Sequence, residues 1–221
     1  MSDERPLISV CIPAYNRAEH LAPLLESIRA QGMDDWECVI AEDGSPQRER
    51  IREVTRSYMD RDPRIRYHEN ARTLGYDGNF RELVSLARGR FLFIMGNDDL
   101  VHPGAFVAVA DAIARYPRLG VILRAFACFR GEPSNVIQVS RYYAKECHFP
   151  AGRDAILASY RRLVAMSGIV LHRDAAFAVA TTRWDGTLFY QLWLAGNILC
   201  EHDLVYLPQL LALFRKDGVP E

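Results

Sequence analysis

Asp98 and Asp99 close the run Phe91-Leu92-Phe93-Ile94-Met95-Gly96-Asn97. A short apolar stretch of this kind reads as a buried strand, and the two carboxylates stand where it ends. Open α/β sheets bind ligands just beyond the carboxyl ends of their strands. Hard divalent cations take oxygen ligands there and keep coordination positions for substrate phosphates. The chemistry this pattern suits is the holding of a metal–diphosphate. Adjacent aspartates after a strand are equally a turn and helix N-cap signal. The segment therefore gains meaning from the turns that stand beside it.

Two such turns precede it. Pro13-Ala14-Tyr15-Asn16 follows the apolar run Leu7–Ile12, and Glu42-Asp43-Gly44-Ser45 follows Trp36–Ala41. Helices must lie between these strands. Leu21, Leu24, Leu25 and Ile28 recur at helical spacing, with Asn16 and Glu19 in a capping-box pattern. Ser45-Pro46 is an N-cap and first-turn signal for a second helix carrying Ile51, Val54 and Tyr58. Ile65–His68 reads as a third strand, and Phe80, Leu83, Val84 and Ala87 as a third helix stopped by Gly89. After the acidic turn, Pro103 opens a helix with Phe106, Val109, Ala110 and Ile113. Strands alternating with helices imply βαβ units and a mostly parallel sheet. Right-handed crossovers then set the three polar turns along one edge.

The remainder is less regular. Val121–Phe129 reads as a strand and Val136–Tyr143 as its hairpin partner across Gly131–Asn135. Ile156, Leu157, Tyr160 and Leu163 suggest a helix. Ser167–His172 reads as a strand, Leu188, Leu192, Ala195 and Leu199 as a helical stripe, and Asp203–Leu207 as a last short strand. No linker, repeat or low-complexity segment divides the 221 residues. The expectation is one α/β domain, a mostly parallel central sheet flanked by helices.

A net charge of −1 with no long basic run argues against nucleic acid as the main partner. Five cysteines without a CxxC pair fit a reducing compartment better than a disulfide framework. The polar start Met1-Ser2-Asp3-Glu4-Arg5 lacks a signal-peptide core, and no apolar run reaches transmembrane length. A cytoplasmic protein is expected, with attachment at the inner membrane face left open, as is the oligomeric state.

The segments ISVCIPAYNRAEHLAPLLESI, VIAEDGS, NARTLGYDGNF and ARGRFLFIMGNDDL, with the Pro103 that follows, resemble the family 2 glycosyltransferases of GT-A (Rossmann-like) fold. The resemblance runs from Leu7 to about Tyr116 with the motifs in order. The GNDD form and the Trp184–Gly196 segment look most like the branch that includes abequosyltransferases of bacterial surface polysaccharides. The resemblance implies residues 7–116 as a nucleotide-sugar-binding half and 117–221 as an acceptor-side half. It implies a nucleotide-diphosphate sugar donor, a Mn²⁺ or Mg²⁺ ion, and transfer to a hydroxyl of a saccharide or lipid-linked saccharide, with inversion.

Carried over by position, Pro13, Ala14 and Tyr15 would line the nucleotide pocket, with Tyr15 on the base. Asp43 would accept a hydrogen bond from the base. Asn70, Gly75 and Asn79 would lie along nucleoside and diphosphate, with Asn97 beside them. The family's Asp-x-Asp element maps onto Gly96-Asn97-Asp98, which loses its first Asp and leaves Asp98 as metal ligand. Asp99 and Asp185 are the carboxylates expected to serve the transfer itself. The usual Glu-Asp pair of the later segment is absent, and Gln191 sits near its place. Two other readings stay open: a domain that binds nucleotide sugar without turnover, and a sugar nucleotidyltransferase. The latter would need a Gly-rich phosphate loop after the first strand, which Pro13–Asn16 is not.

Overall fold

A computed structural model describes residues 5–217. The first half is strand–helix alternation: β1 (Ile8–Ala14), α1 (Ala18–Arg29), β2 (Trp36–Glu42), α2 (Arg48–Met59), β3 (Ile65–Glu69), α3 (Gly75–Leu86) and β4 (Phe91–Ile94). Then come β5 (Leu100–Val101), α4 (Ala105–Arg115), β6 (Leu119–Phe129), β7 (Val136–Ser140), β8 (Cys147–Phe149) and α5 (Arg153–Ser159). The chain finishes with β9 (Val170–His172), α6 (Arg173–Ala178), α7 (Tyr190–Ile198) and β10 (Asp203–Arg215). One sheet runs β3-β2-β1-β4-β9-β6-β10-β5, with β7 added to β6 and β8 to β10.

The alternation of side chains along each strand builds two cores. On β1, Ile8, Val10 and Ile12 join the core covered by α1 and α4, whereas Cys11 joins the core covered by α3 and α7. On β4, Phe91 and Phe93 face the first core and Leu92 and Ile94 the second. A strand apolar on both faces has to be covered on both faces, which is why these runs show no polar alternation.

β3, β2, β1 and β4 are parallel throughout, and β6 and β10 are parallel to each other. β9 runs antiparallel between β4 and β6. From β1 the chain proceeds outward through β2 to β3, then crosses back to place β4 on the other side of β1. The crevice between the ends of β1 and β4 is therefore a topological switch point, where open α/β sheets bind ligands.

Three local expectations are corrected. Asn16 does not cap α1: it sits at φ 55°, and the backbone N–H of Ala18 donates instead to the Gln47 side chain at 2.9 Å. Ser45 does not cap α2, which begins at Arg48 after a turn, and its hydroxyl has no partner. The last strand does not stop at Leu207 but runs to Arg215. Pro208 has no N–H to pair and the register shifts on either side of Leu210. The chain bends there and continues, pairing Leu213 with Leu100 on β5. That continuation brings Arg215 beneath the acidic turn.

Candidate active site

Three turns supply one wall of a cavity of about 400 Å³ at the switch point. Pro13, Tyr15 and Arg17 come from the end of β1, Asp43 from β2, and Gly96, Asn97 and Asp98 from β4. Thr73, Gly75, Tyr76 and Asn79 at the start of α3, with Met166, complete it. Asp43 and Asp98 thus stand on one edge, as the order of the turns predicts.

Asp43 is 3 % exposed and ties the corner together. Its Oδ1 accepts from Asn70 Nδ2 and from the Leu74 N–H, each at 2.8 Å, and its Oδ2 accepts from the Gly75 N–H at 2.8 Å. Asn70 also donates to Asn79 Oδ1 at 2.9 Å, and Asn79 Nδ2 donates to the Ala41 carbonyl. A carboxylate offers about four acceptor positions. One of them, on Oδ2, stays free for a ligand N–H. Asn70 acts through this chain of bonds and does not line the cavity. Ala14 is fully buried and contributes its carbonyl, which accepts from the Asp43 N–H. Glu42 lies beneath the turn, accepting from the N–H groups of Gly44 and Ser45 and paired with Arg48.

The acidic turn is arranged by close approach. A Cβ on Gly96 would meet Asp99 Oδ2 and Ser167 Oγ at 3.2 Å and Asp98 Oδ1 at 3.3 Å. A third carboxylate at this position would be pressed onto two others. The missing first acid of the motif therefore has a local steric and electrostatic reason. Asn97 donates to the Asn16 carbonyl at 2.8 Å, bracing β4's turn against β1's. Asp98 faces the cavity and is paired with Arg17.

Asp99 turns the other way. Its Oδ2 accepts from Ser167 Oγ at 2.5 Å and its Oδ1 from the Arg215 N–H at 2.9 Å. Burial, reinforced by the charge of Asp98, pushes its carboxyl up to about 7. Asp99, expected to serve the transfer, is not on the cavity wall: the structure places it behind the turn, held by Ser167 and Arg215. Asp99→Ala is expected to cost about 1–3 kcal/mol, the range for leaving a buried hydrogen-bonding group unpaired, read as a drop in melting temperature. Asp99→Asn, which can accept from Arg215 and donate to Ser167, should lose less than half of that.

Asp185, also expected to serve the transfer, lies away from the cavity as well. It lies in the exposed loop before α7, is paired with Arg81 of α3, and does not reach the cavity. Gln191, near the place of the family's acidic pair, is 2 % exposed. It accepts from the Tyr76 hydroxyl at 2.9 Å and donates to the Leu163 carbonyl at 3.2 Å. It braces α3 against the segment that follows α5 and carries no charge.

Four wall residues were not expected: Arg17, Thr73, Tyr76 and Met166. The first three lie inside the YNR and NARTLGYDGNF segments, so neighbourhood to the motif was a usable signal. Met166 had none. It is set by Arg124, a fully buried arginine of β6 that donates to the carbonyls of Ala165 and Ser167, both at 2.7 Å. Burial pushes Arg124 down to about 10, against the opposing pull of Tyr142, Asp99 and Tyr206. Gly168, at φ +82° with Arg124 Nε 3.0 Å from where a Cβ would stand, lets the chain pass over it. Asp77, also unforeseen, is 1 % exposed and accepts from the N–H groups of Leu188 and Tyr190, fixing the start of α7.

A hard cation needs an anionic oxygen in the cavity that no N–H has claimed. Asp98 meets this test at Oδ1, while its Oδ2 accepts from the Arg17 guanidinium alone among the described residues. No cluster of three or more His, Cys, Asp or Glu side chains placed to hold an ion occurs among the described residues. A metal at Asp98 would take its remaining ligands from diphosphate oxygens and water, as Mg²⁺ commonly does.

Residues 9–183 match the model of glycosyl transferase family 2. Abequosyltransferase RfbV of Salmonella typhimurium is 40 % identical over 96 residues, which cover 42 % of this chain and 28 % of that protein. Among solved structures, S. aureus TarS 1–349 in complex with UDP superposes with a TM-score of 0.71 at 17 % identity, covering 95 % of this chain and 60 % of that one. Mannosyltransferase PcManGT from Pyrobaculum calidifontis, in complex with GDP-Man and Mn²⁺, gives a TM-score of 0.66 at 15 % identity, covering 99 % and 59 %. The chain thus spans less than two thirds of each of these proteins. The structural likenesses are likenesses of fold, and the family match carries the assignment: this chain belongs to glycosyl transferase family 2 and has a GT-A architecture.

Proposed function

We propose that the cavity at the β1/β4 switch point binds a nucleotide-diphosphate sugar together with a divalent cation, and that the sugar passes with inversion to a hydroxyl of a saccharide or lipid-linked saccharide in bacterial surface-polysaccharide synthesis. The observation that carries this reading is the convergence of Tyr15, Asp43 and Asp98 on one cavity wall. UDP and GDP-Man are what the solved neighbours of similar fold hold, and Mn²⁺ accompanies one of them.

The residues divide the donor between them. Tyr15 is half exposed at the mouth and offers its ring to a base. The free lone pair on Asp43 Oδ2 accepts a base N–H. Asn79 and the Gly75 backbone follow along the start of α3, whose first N–H groups are held by Asp43. Asp98, with Asn97 beside it, would hold the cation. A bound divalent ion neutralises the departing diphosphate as a Lewis acid. Every other task falls to the chain, which orients the donor between the β1 and β4 turns. The acceptor enters from the side bounded by Tyr76 and Met166, where Gln191 fixes the wall. Aspartates 99 and 185 have no part in the proposal, because the geometry turns both away.

The experiment is a thermal-shift screen of UDP, GDP and other nucleoside diphosphates with Mn²⁺, Mg²⁺ or EDTA. A ligand that binds only the folded state raises its stability by RT ln(1 + [L]/Kd), about 2.7 kcal/mol at a hundredfold excess over Kd. One nucleotide should raise the melting temperature strongly in Mn²⁺ and weakly in EDTA. No shift with any nucleotide at millimolar concentration would refute the donor assignment.

A further inference from the structure

Arg17 stands out as a cavity residue that neither the fold nor the donor reading requires. Two consecutive left-handed residues, Asn16 at φ 55° and Arg17 at φ 58°, close the turn after β1. Non-glycine residues hold such backbone only where surroundings over-determine it. Here Asn97 donates to the Asn16 carbonyl, Ala18 N–H donates to Gln47, and Arg17 pairs with Asp98 Oδ2. The turn thereby aims a guanidinium back over the cavity onto Asp98, a wall carboxylate that accepts from no other donor among the described residues. The Arg17 side chain is 58 % exposed and that of Asp98 is 21 % exposed. An exposed ion pair of this kind is weak, so the arginine can leave.

A carboxylate oxygen engaged by a guanidinium is not available to a metal, and two cations crowded on one carboxylate repel each other. The planar fork of a guanidinium also matches two phosphate oxygens. We propose that Arg17 is the resident counter-ion of Asp98, that Arg17 and a divalent cation exclude one another from this carboxylate, and that the displaced guanidinium pairs with the donor's diphosphate. The proposal rests on the reading that Asp98 takes the cation. Its consequence is coupling. A nucleoside diphosphate gives Arg17 a second partner and so frees Asp98, making metal and nucleotide bind more tightly together than apart. Linkage requires the effect to be equal in both directions.

The test compares the wild type with Arg17→Asn, Arg17→Gln and Asp98→Asn. Asn tolerates left-handed backbone, and Gln guards against an effect peculiar to Asn. Mn²⁺ binding to the nucleotide-free protein is followed by the electron paramagnetic resonance signal of the free ion. UDP and GDP binding in EDTA is followed by calorimetry. Both Arg17 variants should bind Mn²⁺ alone at least fivefold more tightly and the diphosphate in EDTA at least fivefold more weakly. Unchanged or weaker Mn²⁺ binding in both Arg17 variants, while Asp98→Asn loses it, would overturn the exclusion and leave the metal assignment standing. Wild-type Mn²⁺ affinity in Asp98→Asn would instead overturn the reading of Asp98 on which the proposal rests.

Discussion

Asp98→Asn is expected to lower Mn²⁺-dependent nucleotide affinity about a hundredfold. Two unit charges 4 Å apart attract by about 4 kcal/mol at an effective dielectric constant of 20. A divalent ion at ligand distance feels at least as much from its one carboxylate, and water recovers part of it. A net loss of about 3 kcal/mol is a factor of about 100. Gly96 contributes no side-chain oxygen and Asp99 is turned inward onto Ser167 and Arg215. No second acid can therefore take over without rebuilding the turn. Asn97→Ala removes one neutral hydrogen bond to the Asn16 carbonyl, worth about 1 kcal/mol, and should cost less than tenfold. Calorimetric titration of UDP and GDP in Mn²⁺ and in EDTA separates these outcomes. Full Mn²⁺-dependent affinity in Asp98→Asn would remove the metal from this turn.

Asp43→Ala should damage stability and binding together. Its carboxylate accepts from Asn70, Leu74 and Gly75, so its loss leaves three donors at the cavity corner without their acceptor. Each buried donor left unpaired costs about 1–3 kcal/mol, and water entering from the cavity recovers some of it. A net loss of about 3 kcal/mol lowers the melting temperature by about 6–12 °C in a chain of this size. Nucleotide affinity should fall at least tenfold as well, because the free lone pair on Oδ2 is lost and the start of α3 is released. Asp43→Asn keeps the shape but turns an N–H₂ toward the Gly75 N–H or an equivalent donor, so it should fall between the two. A stable Asp43→Ala protein with wild-type nucleotide affinity would show that Asp43 is neither the corner's brace nor a base contact.

Much of the parallel half was legible because its signals are local. Leu21, Leu24, Leu25 and Ile28 recur at the helical period, and Phe91–Ile94 is apolar on both faces because helices cover both. Polar turns punctuate the strand ends, and the handedness of βαβ crossovers puts those ends on one edge. Asp43 and Asp98 could therefore be placed on one edge from sequence, and the family resemblance set Gly75 and Asn79 beside them. The direction of each side chain could not. Asp98 and Asp99 are adjacent and chemically identical, yet one faces the cavity and the other the interior. That choice depends on Ser167 and Arg215, 68 and 116 positions away from Asp99. Asp185 carries the right chemistry for a base, but Arg81 holds it outside. Asn16 carries a capping signal, but its backbone is left-handed and α1 begins only at Ala18.

The sequence by itself determined the family, the order of strands and helices in the first half, and the edge along which the polar turns gather. These follow from periodicity, turn residues and motif order, all of which are read within a few residues of one another. Only the tertiary structure decided which carboxylates line the cavity, that Arg17 sits on Asp98, that Gly96 is there to let two acids and a serine approach, and that β10 passes Pro208 to reach beneath the acidic turn. Those outcomes are set by contacts between segments far apart in the chain. The same residue type can then be a ligand, a brace or a solvent-facing ion pair, according to which partner the fold delivers to it.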